Sequence, residues 1–374
     1  MGFFAVMASP GSVEPSVNAL HLNLWALPSI VPGRRLFYLD VGVEIRAAEE
    51  AVDSIDILLP FRVDEGLWPD GSRVVQDLYD QVANQDVAEL IFGGPVNVNV
   101  ANSECTLDFP EGSLRAGRID THAVKQVEAY AQRSDSSLYT IPFASPIEPG
   151  GQRYFRMRWR ILGARPLWRW KRIVGGCLVD LRIADVREGR FAGADRSLRG
   201  RILPIQKTNV FVMAPARLEL ATTSPEPRYV RLLEAHAWES YLRHATSRGK
   251  GPRLVVYYWR SEAQSGRPIT IDNPFRVFAD YVKAPSGQWW VKVLQAAAGV
   301  LAAALLYLFL KNWDTAVEAV GRLPWGTAWK FLVPLSLTGL LALWGAARKF
   351  VAGGFLATRR AFRRVEAKLL LVSR

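Results

Sequence analysis

The chain has little of the chemistry that announces an enzyme. Only two cysteines, Cys105 and Cys177, occur in 374 residues, far apart and in no CxxC or Cys/His spacing. That excludes a disulfide framework and a zinc site and suits a reducing compartment. The four histidines, His21, His122, His236 and His244, are scattered. His236 and His244 stand eight apart on one expected helix without a carboxylate or cysteine set beside them, so no metal is expected. There is no phosphate loop, GxGxxG, HExxH, GxSxG or kinase set, and Asp53 and Asp56 have no partner motif. Neither catalytic residues nor a cofactor are expected. A repeat period and low-complexity stretches are also missing. Met1–Ala8 is apolar but short, lacks a cationic leader and is broken by Pro10 and Gly11, which makes it a poor signal peptide. Val6 stands where a myristoylation signal needs Ser or Thr.

What is present reads as a mixture. A hydrophobic fraction of 49% with 13 Trp is too apolar for a disordered chain, while 22% charged residues is too polar for a polytopic transporter. The net charge of +12 hides an asymmetry, with 9 Lys+Arg against 21 Asp+Glu in residues 1–151 and 38 against 14 in the remainder. Such a split implies internal attraction between the parts or a basic surface for nucleic acid or lipid.

The pattern predicts an α+β fold, β-rich over the first three quarters. Residues 35–61 hold two strand-like runs, and further strands are expected at Leu90–Val100, Cys105–Phe109, Leu138–Phe143, Tyr154–Leu162, Cys177–Ile183, Asn209–Met213 and Leu254–Trp259. Helices are expected at Arg73–Ala83, Thr121–Gln132 and Arg228–Ala245. The Pro/Ser/Gly-rich stretch Ser145–Gly151 coincides with the change of charge sign. It is the candidate boundary between an acidic region, 1–151, and a basic region, 152–285, which together form two domains or one.

Segment 153–172, RYFRMRWRILGARPLWRWKR, carries the most chemistry. A strand there puts Arg156, Arg158 and Arg160 on one face and Phe155, Met157, Trp159 and Ile161 on the other. Trp168, Arg169, Trp170, Lys171 and Arg172 add aromatic and cationic groups nearby. Guanidinium groups on phosphates and aromatic rings under bases are how single strands are held without a rigid sequence code. The alternative is that the arginines pair with the acidic first region. The sequence leaves both open.

Two long apolar runs close the chain. Val293–Leu310 is 18 residues without a formal charge, about 27 Å at roughly 1.5 Å per residue, and Phe331–Ala347 repeats the feature. Trp289, Trp290 and Lys292, then Tyr307, Lys311 and Trp313, flank the first run, and Trp329, Lys330, Arg348 and Lys349 flank the second. A transmembrane hairpin over 286–350 is therefore expected. The excess of cations after the second run places the tail and the β-rich region on the cytoplasmic side of the inner membrane. Residues 351–374 predict an interfacial helix, with Arg359, Arg360, Arg363, Arg364 and Lys368 toward anionic lipid headgroups and Phe355, Phe362, Val365 and Leu369 opposite. One hairpin cannot enclose water, but an oligomer can. Gln295, Gly299, Ala303, Ser336 and Thr338 are the small and polar positions a pore would use. Simple packing within an anchor explains the same residues equally well.

A β-rich sensor ahead of crossings at 293–310 and 331–347, with the basic segment 153–172, resembles bacterial anti-phage membrane effectors controlled by nucleotide signals. Among these it is similar to the channel effectors of the Hailong defence systems. That resemblance lies in the layout and implies a channel gated by a nucleotide or single-stranded DNA oligomer from a partner nucleotidyltransferase; the chain is itself expected to form a homo-oligomer, with a tetramer among the candidates. A membrane-anchored binding or scaffold protein without a pore is the alternative.

Overall fold

β-branched and aromatic residues alternate along most of Met1–Ala284, which forms one compact unit in the computed structural model. Residues 3–283 are described apart from 12–13, 29–34, 69–70, 102–103, 128–135, 165, 172–175, 187–195, 234–237, 243–252 and 263–266; beyond them only Ala297, Gly299, Ala304, Tyr307 and Lys311 are described. The strands in chain order are β1 Ala5–Ala8, β2 Ser16–Pro28, β3 Arg35–Arg46, β4 Val52–Leu59, β5 Arg62–Val63, β6 Val75–Asp77, β7 Asn97–Ala101, β8 Glu104–Phe109, β9 Gly112–Ala116 and β10 Lys125–Gln126. They continue with β11 Ser137–Ile147, β12 Gln152–Leu162, β13 Trp168–Lys171, β14 Gly176–Ile183, β15 Ile205–Pro215, β16 Leu218–Ser224, β17 Tyr229–Leu232, β18 Leu254–Glu262 and β19 Phe275–Lys283.

A central sheet runs in the order β17-β18-β15-β2-β3-β12-β9-β8-β7, with β5 and β6 also paired to β12. Two smaller sheets have the orders β1-β4-β11-β10 and β13-β14-β19-β16. The long middle strands explain the layering. Leu20, Leu22 and Leu24 on β2, Leu39, Val41 and Val43 on β3, and Phe155, Met157 and Trp159 on β12 all enter one apolar core. Ile55 and Ile57 of the first small sheet, and Val179, Leu181 and Val277 of the second, join the same core. Each fully buried side chain of this kind contributes about 1.5–3 kcal/mol, so sheet-on-sheet packing is the main source of stability.

The other face of the central sheet is partly covered by short helices. α1, Tyr79–Val82, and α2, Gln85–Phe92, supply Tyr79, Val82, Val87 and Ile91, and the turn Glu239–Leu242 brings Tyr241 and Leu242 beside Trp238. α2 starts where the Asn84 side chain accepts from the Val87 N–H at 3.1 Å, and stops at Gly93, whose φ of 73° ends the helix in the left-handed region.

Several expected helices are corrected. In place of Arg73–Ala83, residues Val75–Asp77 pair with β12 and only Tyr79–Val82 is helical. Within Thr121–Gln132, Lys125–Gln126 is a strand, and 128–132 lie outside the described residues. Arg228–Ala245 begins as strand β17 on β18 and is helical at Glu239–Leu242. Leu90–Val100, expected as a strand, instead ends helix α2 at Phe92 before β7 begins at Asn97. In each case a neighbouring element offers backbone partners or apolar cover, and satisfying them outweighs local periodicity.

The fold class is corrected too. The described chain is β-rich rather than α+β with a helical hairpin, and no helix among the described residues is long and apolar enough to cross a membrane. Its longest named helix, α2, has 8 residues and caps a sheet. An uncharged run of 17–18 residues meets the length for a crossing without specifying that one forms. Segments 293–310 and 331–347 and the tail 351–374 lie outside the described residues, except Ala297, Gly299, Ala304 and Tyr307, which are helical and exposed.

The acidic and basic regions share one sheet. β12 pairs with β3 from Gln152↔Arg46 to Arg160↔Tyr38, so Ser145–Gly151 joins two strands of a single unit. Part of the charge asymmetry is used internally, in the ion pairs Arg158–Asp40 and Arg201–Asp56.

Candidate functional site

Alternation along β12 sends Tyr154, Arg156 and Arg158 to the face opposite the main core, where Arg156 and Arg158 are each only 1% exposed. Asp40 on β3 lies directly across from Arg158 and is fully buried. Arg158 donates to it twice, Nε to Oδ1 at 2.6 Å and Nη2 to Oδ2 at 2.9 Å. Trp25 Nε1 at 2.7 Å and the Tyr241 hydroxyl at 2.6 Å also donate to Oδ2. Burial by itself would raise the Asp40 pKa, but the Arg158 charge and hydrogen bonds, with help from Arg156 and Tyr241, hold it below the usual carboxylate range.

Among the described residues Arg156 has no carboxylate of its own. Its Nε donates to the Tyr241 hydroxyl and its Nη1 to the Tyr154 hydroxyl, both at 3.0 Å, while Nη2 has no hydrogen-bond partner among the described residues. The Tyr154 hydroxyl lies 3.3 Å from His21 Nδ1. Having accepted from Arg156, it has its own proton to donate to that ring nitrogen. Burial first, then the charges of Arg156, Lys207 and Arg260, push the His21 pKa down to about 3. Gly42 makes the arrangement fit, because a Cβ there would overlap the Tyr154 hydroxyl. Gly42→Ala is expected to lower the midpoint of urea unfolding, at a cost of about 1–3 kcal/mol from overpacking.

The positive field reaches a more open part of the same sheet face. Lys207, Asn209 and Phe211 alternate on β15, with Asn209 opposite both His21 and Arg260, and Phe211 opposite Tyr258. Burial and then Arg260 lower the Lys207 pKa, with Glu44 and Glu111 opposing them. One register row continues Phe211–Tyr258–Tyr229, with ring centroids 4.6 Å apart at both steps. Tyr229, the last ring, is 39% exposed on edge strand β17, and Arg231 lies over it at 5.8 Å. The Tyr258 hydroxyl donates to Asn209 Oδ1 at 2.7 Å, which fixes its ring. The result is a row of three rings, Phe211 stacked on Tyr258 at 24° and Tyr229 tilted from Tyr258 by 35°, beside Lys207, Arg260 and Arg231.

The sequence-predicted residues are placed differently. Arg156 and Arg158 are buried in the ion-pair network, so they offer no open surface; the desolvation of two guanidiniums is offset by partners inside the protein. Arg160 is half-buried with its guanidinium 4.5 Å over the Trp68 ring. Trp168 is buried against Tyr281, Arg169 and Trp170 are exposed on β13, and Lys171 is paired with Asp280. β13 belongs to a different sheet from β12, so the segment does not form one cationic surface. Arg172, Gln295, Ala303, Ser336, Thr338, Arg359, Arg360, Arg363, Arg364 and Lys368 lie outside the described residues, and Gly299 is helical and exposed. Phe211, Tyr229, Tyr258, Lys207, Arg231 and Arg260 were not singled out in the sequence. The two-residue spacing of Lys207, Asn209 and Phe211, and of Tyr258 and Arg260, is the signal that would have found them.

No protein-family model and no curated protein matches the chain. Among solved structures, an M1 zinc metallopeptidase of Deinococcus radiodurans is similar at a TM-score of 0.31 and 13% identity, covering 72% of this chain and 42% of that one. A Legionella pneumophila protein described as nutrient binding has a TM-score of 0.31 at 10% identity, covering 87% of this chain and 79% of that one. The chain thus spans under half of the peptidase, and likeness at this level carries no argument about activity.

Proposed function

We propose that the Met1–Ala284 unit is a binding module for a nucleotide or short single-stranded oligonucleotide, held on the open part of the central sheet. The observation that carries this reading is the Phe211–Tyr258–Tyr229 stack ending at an exposed ring, with Lys207, Arg260 and Arg231 beside it. A base added on Tyr229 extends an existing stack, and its phosphates meet cations whose mutual repulsion an anion relieves. The excess charge of Arg156, buried on the same sheet face, strengthens that attraction without touching the ligand. A DNA oligomer from a partner nucleotidyltransferase, the signal implied by the sequence resemblance, has both groups this surface would use.

The test is fluorescence anisotropy of a labelled single-stranded DNA oligomer titrated with the whole chain. Affinity is expected to fall with salt, as counterion release requires, and by at least about fivefold in Tyr229→Ala, since stacking on an aromatic side chain contributes about 1–3 kcal/mol per base. Arg260→Glu should reduce the salt slope. Absent binding at low salt, or binding that ignores both substitutions, would refute the proposal.

A further inference from the structure

The opposite face of β12 carries a second basic feature, separate from the aromatic stack. A pocket of about 100 Å³ is lined by Tyr79, Glu104, Arg115, Arg118, Ser145 and Arg153, among others. Its charge follows from strand register. β9 runs parallel to β12 with Arg115 directly opposite Arg153, and like charges so placed repel across the ladder. Arg153 shares its face of β12 with Phe155 by alternation, whereas the ion-pair network and the aromatic stack lie on the face of Tyr154 and Arg156.

Arg115 and Arg153 have partners that are weak or neutral. Arg115 meets Glu104 at 3.9 Å, both side chains being more than half exposed, where such a pair contributes little. Arg153 donates to the Ser145 hydroxyl at 2.8 Å and to its carbonyl at 3.5 Å. Arg118 is held by Asp80 at 2.6 Å and lies 3.9 Å over the Tyr79 ring. Beneath them Gly117 is packed so closely on Phe155 that a Cβ would overlap the ring, which fixes the pocket floor.

We infer that this pocket binds a phosphate group, with Arg115 and Arg153 as its clamp and Arg118 as a third donor. Guanidinium forks match the oxygens of a tetrahedral anion, and three of them line this pocket, with Glu104 the one lining carboxylate among the described residues and Asp80 engaging Arg118 from beside it. The pocket has room for several water molecules and so for one phosphoryl group. A free phosphate ester and a lipid phosphate headgroup share this chemistry.

The whole chain is titrated with inorganic phosphate by calorimetry at low salt, and circular dichroism confirms that each variant is folded. Saturable binding is expected, weakened at least about tenfold by Arg115→Glu with Arg153→Glu and tightened by Glu104→Gln, while Tyr229→Ala leaves it unchanged. Co-sedimentation with phosphatidic acid vesicles, against phosphatidylcholine alone, separates the sources. Loss of vesicle binding in the paired variant assigns the site to a headgroup, and a chain that binds phosphate but stays in the supernatant assigns it to a free ester. No saturable phosphate binding, or equal binding by the paired variant and the parent, overturns the inference. Because Tyr229→Ala acts only on the aromatic stack, failure of one site is distinguishable from failure of the other.

Discussion

Replacing Asp40 with alanine is expected to destabilise the Met1–Ala284 unit by about 3–5 kcal/mol, the largest effect of any single substitution considered. The carboxylate accepts two bonds from Arg158, one from Trp25 and one from Tyr241, and all are buried. Removing it leaves a guanidinium without counter-charge beside a second one, Arg156, that has none of its own among the described residues. Urea unfolding followed by tryptophan fluorescence gives the measurement. The double variant Asp40→Leu with Arg158→Met is expected to recover most of the loss, because an apolar pair of similar volume avoids desolvating either charge. If Asp40→Ala unfolds at the same midpoint as the parent, the pair does not hold the covering turn Glu239–Leu242 in place. If the double variant is as unstable as the single one, the loss comes from shape and not charge.

Stability between pH 4.5 and 6.5 is expected to vary little in the parent chain and to slope in opposite directions in two variants. His21 has a pKa of about 3 when folded against 6.5 for the free side chain, so below 6.5 the unfolded state takes up a proton that the folded state refuses. Its contribution therefore makes stability fall as pH falls from 6.5 toward 3. Asp77 behaves in the reverse sense. Burial first raises its pKa to about 7 from 3.8, although the Tyr79 N–H, at 3.0 Å, and Arg118 favour the charged form. The folded state then holds a proton that the unfolded state has released, and stability falls as pH rises from 3.8 toward 7. Each slope is at most about 1.4 kcal/mol per pH unit, and because the two have opposite signs they largely cancel in the parent chain. His21→Gln should therefore lose stability as pH rises through this window, and Asp77→Asn should gain it. Parallel curves for all three proteins would show that neither group titrates as the geometry demands.

Much of the strand content was legible in residue order. The expected strands at Cys105–Phe109, Leu138–Phe143, Tyr154–Leu162, Cys177–Ile183, Asn209–Met213 and Leu254–Trp259 lie within β8, β11, β12, β14, β15 and β18. Two-residue alternation is a local property, set by the pleat, so it survives whatever the strand packs against. Even the two-faced character of β12 was readable, with Phe155, Met157 and Trp159 turned to the core and the arginines away from it.

What faces the arginines was a tertiary decision. The same pattern serves a ligand surface or a buried ion pair, and the choice was made by Asp40, 118 residues earlier, and by Tyr241, 83 later, neither within reach of any local window. The expected helices at Arg73–Ala83 and Arg228–Ala245 failed for the same reason, since open edges of β12 and β18 drew Val75–Asp77 and Tyr229–Leu232 into ladders. The aromatic stack and the Arg115–Arg153 clamp are products of register between strands far apart in the chain. Sequence determined which side of each strand a residue takes, because that depends on neighbours two positions away. Only the folded sheet decided which residues share a row, because hydrogen-bond register is set by the whole assembly of strands.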